Sequence, residues 1–137
     1  REMAEYGHQY ASQTVANAKA FGQALTDEGV NVEAEEFGFT ESHQLALNVT
    51  NFGDAKAIAR SLAEQNNIIT NYNLLPGDKD PNNPSGLRIG VQEMTRYGMK
   101  EADMQELAAL MKAGMEGKVV KDEVVLLRSR FTEVNYA

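Results

Sequence analysis

One arginine and a pair of asparagines have the clearest chemical capability in this chain. Arg88 stands between Leu87 and Ile89, in a short apolar run that follows the polar stretch Asn82-Asn83-Pro84-Ser85-Gly86. Strand side chains alternate between faces, so Arg88 points away from its two apolar neighbours. A guanidinium is planar, always charged, and offers a fork of donors that matches a carboxylate at two points. Two readings stay open on this pattern: a carboxylate-binding residue, or an ion pair on a sheet edge. Asn71 and Asn73 flank Tyr72 and so share a strand face, where their amides can donate and accept together. That suits an amide-rich or heterocyclic ligand, and equally a strand passing into a loop.

The other candidates carry less. His8 lies in a polar helix start and is expected at the surface. His43 precedes an apolar strand and reads as a hydrogen-bonded structural residue. With no cysteine and no second histidine at ligand spacing, a metal site is not expected. Glu33, Glu35 and Glu36 cluster, but adjacent positions cannot all face one site, so a solvated loop is expected. Gly86 and Gly90 do not open a helix, which removes the P-loop and dinucleotide fingerprints. The six methionines fall mostly on helix faces and read as core filler.

Bulk properties set the frame. A chain of 137 residues can bury a real core. A net charge of −7 opposes a nucleic-acid partner, which needs clustered Lys and Arg. No apolar run is long enough to span a membrane, no signal peptide is visible, and a cytoplasmic setting is expected. The chain does not begin with Met, which suggests a piece of something longer.

The elements that must position these residues follow from periodicity. Tyr10, Ala11, Val15, Ala18, Phe21, Gly22 and Leu25 recur at helical steps, predicting a long helix over 3–28 that Gly29 stops. Val30 to Val32 begins an extended segment, and Phe37-Gly38-Phe39 a flexible bend. Gln44 to Val49 reads as a strand with Leu45, Leu47 and Val49 on one face. Asn51 to Asp54 can cap a helix whose stripe is Ala55, Ile58, Ala59 and Leu62. Ile68 to Tyr72 reads as a strand, and Pro76 to Ser85, which holds all three prolines, as a loop. After the Arg88 strand come a polar connector, Gln92 to Lys100, and a helix with Met104, Leu107, Ala108, Met111 and Met115 on one side. Gly117 breaks that helix, and Asp122 is placed to cap a last one running through Val125, Leu126, Arg128 and Phe131. The expected class is α+β, a small antiparallel or mixed sheet with helices packed on one face.

Taken together, several stretches resemble a known family. Asn71-Tyr72-Asn73-Leu74-Leu75-Pro76, Asn83-Pro84-Ser85-Gly86-Leu87-Arg88-Ile89-Gly90 and Val91-Gln92-Glu93-Met94-Thr95-Arg96-Tyr97-Gly98-Met99 are similar to the C-terminal domain of serine hydroxymethyltransferases. Val15-Ala16-Asn17-Ala18-Lys19-Ala20-Phe21 and Ser42-His43-Gln44-Leu45-Ala46-Leu47 resemble two further segments of that family. The Asn-Pro-Ser-Gly and Thr-Arg-Tyr-Gly-Met forms resemble its archaeal-type branch; the common bacterial branch has Thr where Pro84 stands.

The resemblance implies a small domain, residues 1–137, of a fold-type I pyridoxal phosphate enzyme. Its long first helix would pack on a large N-terminal domain of the same polypeptide, and the full enzyme would be a homodimer. In that family the arginine of the Ser-Gly-x-Arg motif binds the amino-acid carboxylate, which falls here on Arg88. The asparagine that contacts the pterin carrier, tetrahydrofolate or tetrahydromethanopterin, falls on Asn73. The family's Schiff-base lysine lies in the large domain, and none of Lys19, Lys56, Lys79, Lys100, Lys112, Lys118 or Lys121 has its context. The chain alone is therefore expected to be inactive. Two alternatives remain: a relative of 2-methylserine hydroxymethyltransferase, aldolase or transaldolase type, and a free-standing α+β ligand-binding or interaction module in which Arg88 is structural.

Overall fold

The computed structural model describes residues 2–136, with the side chains of the first helix described from Gly7 onward. The first helix, α1, runs Glu2–Asp27, one residue offset from the predicted span. Gly29 ends it with a left-handed φ of 89°, and Val30 turns back to bond the carbonyl of Leu25. Its second half is built into the core, with Asn17, Ala18, Phe21, Ala24 and Leu25 all buried. His8, Gln9, Ala11 and Ser12, nearer its start, are exposed.

The sheet has four strands, β1 (Asn31–Val32), β2 (Gln44–Asn48), β3 (Asn71–Asn73) and β4 (Gly86–Gly90). Their order is β1-β2-β4-β3, antiparallel throughout. Leu45 pairs with Ile89 and Leu47 with Leu87, so one face of the two central strands is apolar and buried under helices. Helix α2 (Ala55–Asn66) is capped by Asp54, whose carboxylate accepts from the N–H of Ala57 at 3.0 Å. Helix α4 (Met104–Met115) buries Met104, Ala108, Met111 and Met115 of the predicted stripe against α1 and α2, with Leu107 half-buried at its side. The observed fold is the expected α+β sheet with its helices on one face. No helix among the described residues is long and apolar enough to cross a membrane.

Four local expectations are corrected. The strand predicted over Ile68 to Tyr72 starts only at Asn71. Asn67 adopts a left-handed φ of 57° and Ile68 bonds back to the carbonyl of Leu62, so the helix terminus takes the backbone groups a strand would have used. The polar connector after β4 contains a short helix, α3 (Gln92–Arg96). Val91, Thr95 and Met99, four apart, turn inward, while Gln92 and Glu93 stay in water. The last helix, α5 (Lys121–Ser129), is not capped by Asp122, which lies in its first turn. Asn66 of α2 does that work instead, accepting the N–H of Val120 at 2.6 Å and donating to the carbonyl of Lys118 at 3.1 Å. Of the predicted α5 positions, Val125 and Leu126 are exposed, Leu127 is the buried one, and Phe131 lies beyond the end. The bend at Phe37 to Phe39 is a short 3-10 turn, Glu35–Phe37, rather than a loose hinge. Phe39 lies so close over Gly22 that a Cβ there would come within 2.7 Å of its ring, which pins the bend to α1.

A buried amide joins α1 to the segment after β4. Asn17, with no exposed surface, donates to the Thr95 hydroxyl at 2.9 Å and the Met99 carbonyl at 2.8 Å, and accepts from Gln13 at 2.9 Å. Asn17→Ala would leave Thr95 and the Met99 carbonyl short of a partner in a dry site, a loss of about 2 kcal/mol or more. Equilibrium denaturation of the variant should show that drop; a change under about 0.5 kcal/mol would mean that the network adds nothing net.

The loop between β3 and β4 is organised by Asp78. Its carboxylate accepts the N–H of Leu75 at 2.8 Å, the N–H of Ser85 at 3.0 Å and the hydroxyl of Ser85 at 2.7 Å. These bonds, the Leu75 amide foremost, hold its carboxyl below the ordinary carboxylate value. A carboxyl whose value is lowered on folding stabilises the folded loop above its unfolded value, near 4, and loses that contribution as pH falls through the lowered folded value. Amide-exchange protection at Leu75 and Ser85 should therefore persist from neutral pH down to about pH 4. Protection already lost between about pH 7 and pH 5 would contradict the assignment.

Candidate functional site

The face of the sheet turned away from the helices is polar and open. Register places Ala46 of β2 on one side of Arg88 and Asn71 of β3 on the other, with Asn73 opposite Gly86 in the next row. Leu87 and Ile89, at 0% and 7% exposure, take the buried face, and the Arg88 side chain is exposed. Among the described residues Arg88 has no hydrogen-bond or ion-pair partner; the carboxylates of Glu41, Glu116 and Glu106 are taken by Lys19, Lys118 and Arg130. The edge ion pair weighed from the sequence is not formed.

β4 gives this arginine unusual room. Gly86 and Gly90 share its face, because they sit two residues to either side, so no side chain of its own strand crowds it. Gly86 is also required by contact: a Cβ there would lie 2.6 Å from Leu75 and 2.9 Å from the Asn73 carbonyl. Ala46, the cross-strand neighbour, is small. Sequence reasoning missed this Gly-Leu-Arg-Ile-Gly device, although the period-two spacing was there to find.

Arg88 and Asn73 line the same shallow concavity of about 430 Å³, along with Glu33, Phe39, Ser42, Gln44 and Ala46. Asn71 is aligned with Arg88 across the ladder but does not line this hollow. The residues that sequence reasoning missed are Gln44 and Ser42, together with Glu33, which it placed in a solvated loop. Alternation from Leu45 and Leu47 put Gln44 and Ala46 on the Arg88 face. Glu33 arrives there because its N–H bonds the carbonyl of Ala46 at 2.9 Å. Glu35 and Glu36 remain exposed, as expected.

The remaining candidates stand apart from the hollow. His8 is exposed on α1. His43 is half-buried before β2, where its carbonyl accepts the Val91 N–H at 3.0 Å; its ring has no hydrogen-bond partner among the described residues, contrary to expectation. No group of three or more His, Cys, Asp or Glu among the described residues could hold a metal ion. The arrangement therefore presents a free guanidinium, two side-chain amides and one carboxylate over an open face. That donor set can grip a carboxylate and hydrogen-bond an amide or heterocycle. Ser42 adds one hydroxyl, which bonds the Thr40 hydroxyl at 3.0 Å and accepts the N–H of Gln44 at 3.2 Å.

Comparison with known proteins follows the same lines. A family model described as serine hydroxymethyltransferase matches residues 2–111. The chain is 50% identical to the serine hydroxymethyltransferase of Methanobrevibacter smithii, covering 99% of this chain and 33% of the relative. It is also 50% identical to that of Saccharolobus islandicus, covering 98% of this chain and 32% of the relative. Among solved structures, an L-threonine transaldolase from Pseudomonas fluorescens superposes with a TM-score of 0.85 at 31% identity, over 99% of this chain and 32% of that one. The chain thus spans about a third of the length of the curated relatives it matches. On the family match over residues 2–111 and relatives at 50% identity, the chain belongs to the serine hydroxymethyltransferase family.

Proposed function

We propose that this chain is the C-terminal small domain of a pyridoxal phosphate-dependent enzyme that interconverts serine and glycine, passing the one-carbon unit to or from a reduced pterin. The observation that carries the reading is the free guanidinium of Arg88 on an open polar face, with Asn73 lining the same hollow.

Arg88 binds the carboxylate of the amino acid. Two-point contact fixes rotation about the bond to Cα and so sets which bond at Cα is presented for cleavage. Asn73 offers an amide donor and acceptor to the edge of the pterin, of the tetrahydrofolate or tetrahydromethanopterin type. Glu33, beyond Ala46 from Arg88, and Gln44, two residues before Ala46 on β2, add a carboxylate and an amide to the same hollow.

The lining holds no lysine, so this hollow offers no amine for a Schiff base with pyridoxal phosphate. Where bound, the cofactor supplies an electron sink for the bond cleaved at Cα. Its lysine and most of its phosphate contacts belong, on this reading, to the large domain outside this sequence. The exposed early turns of α1 would meet that domain, in a cytoplasmic homodimer. Residues 1–137 would then act as one wall of the active site and be inactive alone.

In the full-length enzyme, Arg88→Lys replaces a charge-assisted fork by a point charge. It should lower kcat/KM for serine about thirtyfold, on the order of 2 kcal/mol, while the cofactor's absorbance is unchanged. An unaltered kcat/KM would return Arg88 to a structural role. Asn73→Ala should raise KM for the pterin about tenfold and leave KM for serine in place.

The likeness to the threonine transaldolase supports a second reading, in which the cleaved fragment leaves as an aldehyde and a second aldehyde, in place of a pterin-borne one-carbon unit, forms the new bond at Cα. Turnover of serine that requires the pterin would exclude it, and turnover driven by added aldehyde alone would favour it.

A further inference from the structure

We propose that Asp78 is a positioning residue for this site: by tying Leu75 to Ser85 it sets the distance and orientation between Asn73 and Arg88, an inference that rests on the roles proposed for those two residues.

The two site residues sit on neighbouring strands joined by a long loop. From Pro76 to Ser85 the chain is polar and turn-rich, and such a loop imposes little geometry of its own. Asp78 removes that freedom at both ends at once. One of its oxygens accepts from Leu75, two residues after Asn73, and from Ser85, three residues before Arg88. The other accepts the Ser85 hydroxyl at 2.7 Å. The backbone closes the same knot, since the N–H of Asp78 bonds the carbonyl of Leu75 at 3.0 Å.

The two clamped residues are themselves anchored. The carbonyl of Ser85 accepts the N–H of Val49 at 3.0 Å, which holds the start of β4 against the end of β2. Leu75 is buried at 6% exposure, packed against Gly86 where no Cβ intervenes. Asn73 pairs with Gly86 in the ladder, so a shift of Leu75 relative to Ser85 is a shift of Asn73 relative to Arg88. β3 is three residues long, so only three ladder pairs fix its register and the clamp adds to a small number of constraints. Asp78 itself does not line the hollow, so it touches no ligand there.

The test is steady-state kinetics of the full-length enzyme carrying Asp78→Asn, Asp78→Ala or Ser85→Ala, with melting temperature measured on the same preparations. Asp78→Asn keeps the volume and one acceptor for the two N–H groups, but removes the charge and replaces the acceptor of the Ser85 hydroxyl by an amide donor. Both Asp78 variants should raise KM for serine and KM for the pterin together, each about tenfold, because small misplacement of binding groups is costly. Ser85→Ala, which removes only the hydroxyl bond, should raise both by a smaller factor. The cofactor's absorbance in Asp78→Asn should match that of the parent enzyme, with a melting temperature only slightly lower. If both KM values stay at the parent level in Asp78→Asn and Ser85→Ala, the proposal is overturned, whatever the melting temperature does. If Asp78→Ala does not fold, the other two variants decide. Arg88→Lys measured alongside separates the two ideas. A normal KM for serine there sinks the carboxylate-anchor reading, whereas a large Arg88 effect beside silent Asp78 variants removes only the positioning role.

Discussion

The register between β2 and β4 is the constraint on which the rest depends. Five residue pairs, from Gln44 with Gly90 to Asn48 with Gly86, lock the two central strands together. In this register Leu45, Leu47, Leu87 and Ile89 all reach the core, each contributing about 1.5–3 kcal/mol of apolar burial. A slip of β4 by one residue would lift Leu87 and Ile89 into water and drive the Arg88 guanidinium under the helices, where an unpaired charge costs several kcal/mol. Packing and electrostatics thus select the same arrangement. The strand that presents the charge is held by the residues that flank it.

Apolar contact fixes how much is buried but not the angles at which helices meet the loops around the sheet. Those joints are made by two buried amides. Asn17 spans from α1 to Thr95 and Met99, and Thr95 in turn donates to the carbonyl of Val91 at 2.7 Å, one residue beyond β4. Asn66 spans from α2 to the start of α5, and Gly114 of α4 approaches it so closely that a Cβ would lie 3.0 Å from its amide. Each asparagine is fully buried and satisfied on both its donor and acceptor sides. Directional bonds of this kind are what single out one packing among several of similar buried area.

Much of this was legible in the residues, and the exceptions share a cause. Helices α1, α2 and α4 and strands β2 and β4 were readable because each shows one period over several residues, and the three helices stop at Gly29, Asn67 and Gly117, all with left-handed φ. Arg88 and Asn73 were found by alternation and by motif, and the fold brings both to one hollow. The failures lie where distant residues supply the backbone partners. The start of α5 looked as though Asp122 should cap it, yet Asn66, fifty-four positions from Val120, takes the bond. Ile68 and Ile69 looked like a strand, but the C-terminal turn of α2 had already claimed Ile68. Glu33 joined the site only through pairing with Ala46, and no local spacing announces a pairing.

The exposure of Arg88 is itself informative. A structural arginine of this kind would be expected to rest against a carboxylate, and Glu33 is near enough in the sheet to share its hollow without forming an ion pair with it. Leaving the guanidinium in water keeps its solvation, so the folded chain carries no penalty for holding the charge ready. On the proposed reading that solvation is given up only when a second domain covers the face and a substrate carboxylate arrives, and the two-point bond then offsets it. A substrate lacking the carboxylate would leave a covered, unpaired cation, which is a stronger basis for rejecting it than any lost attraction. On that reading the bare polar face is one half of a selective site, completed only when it is covered.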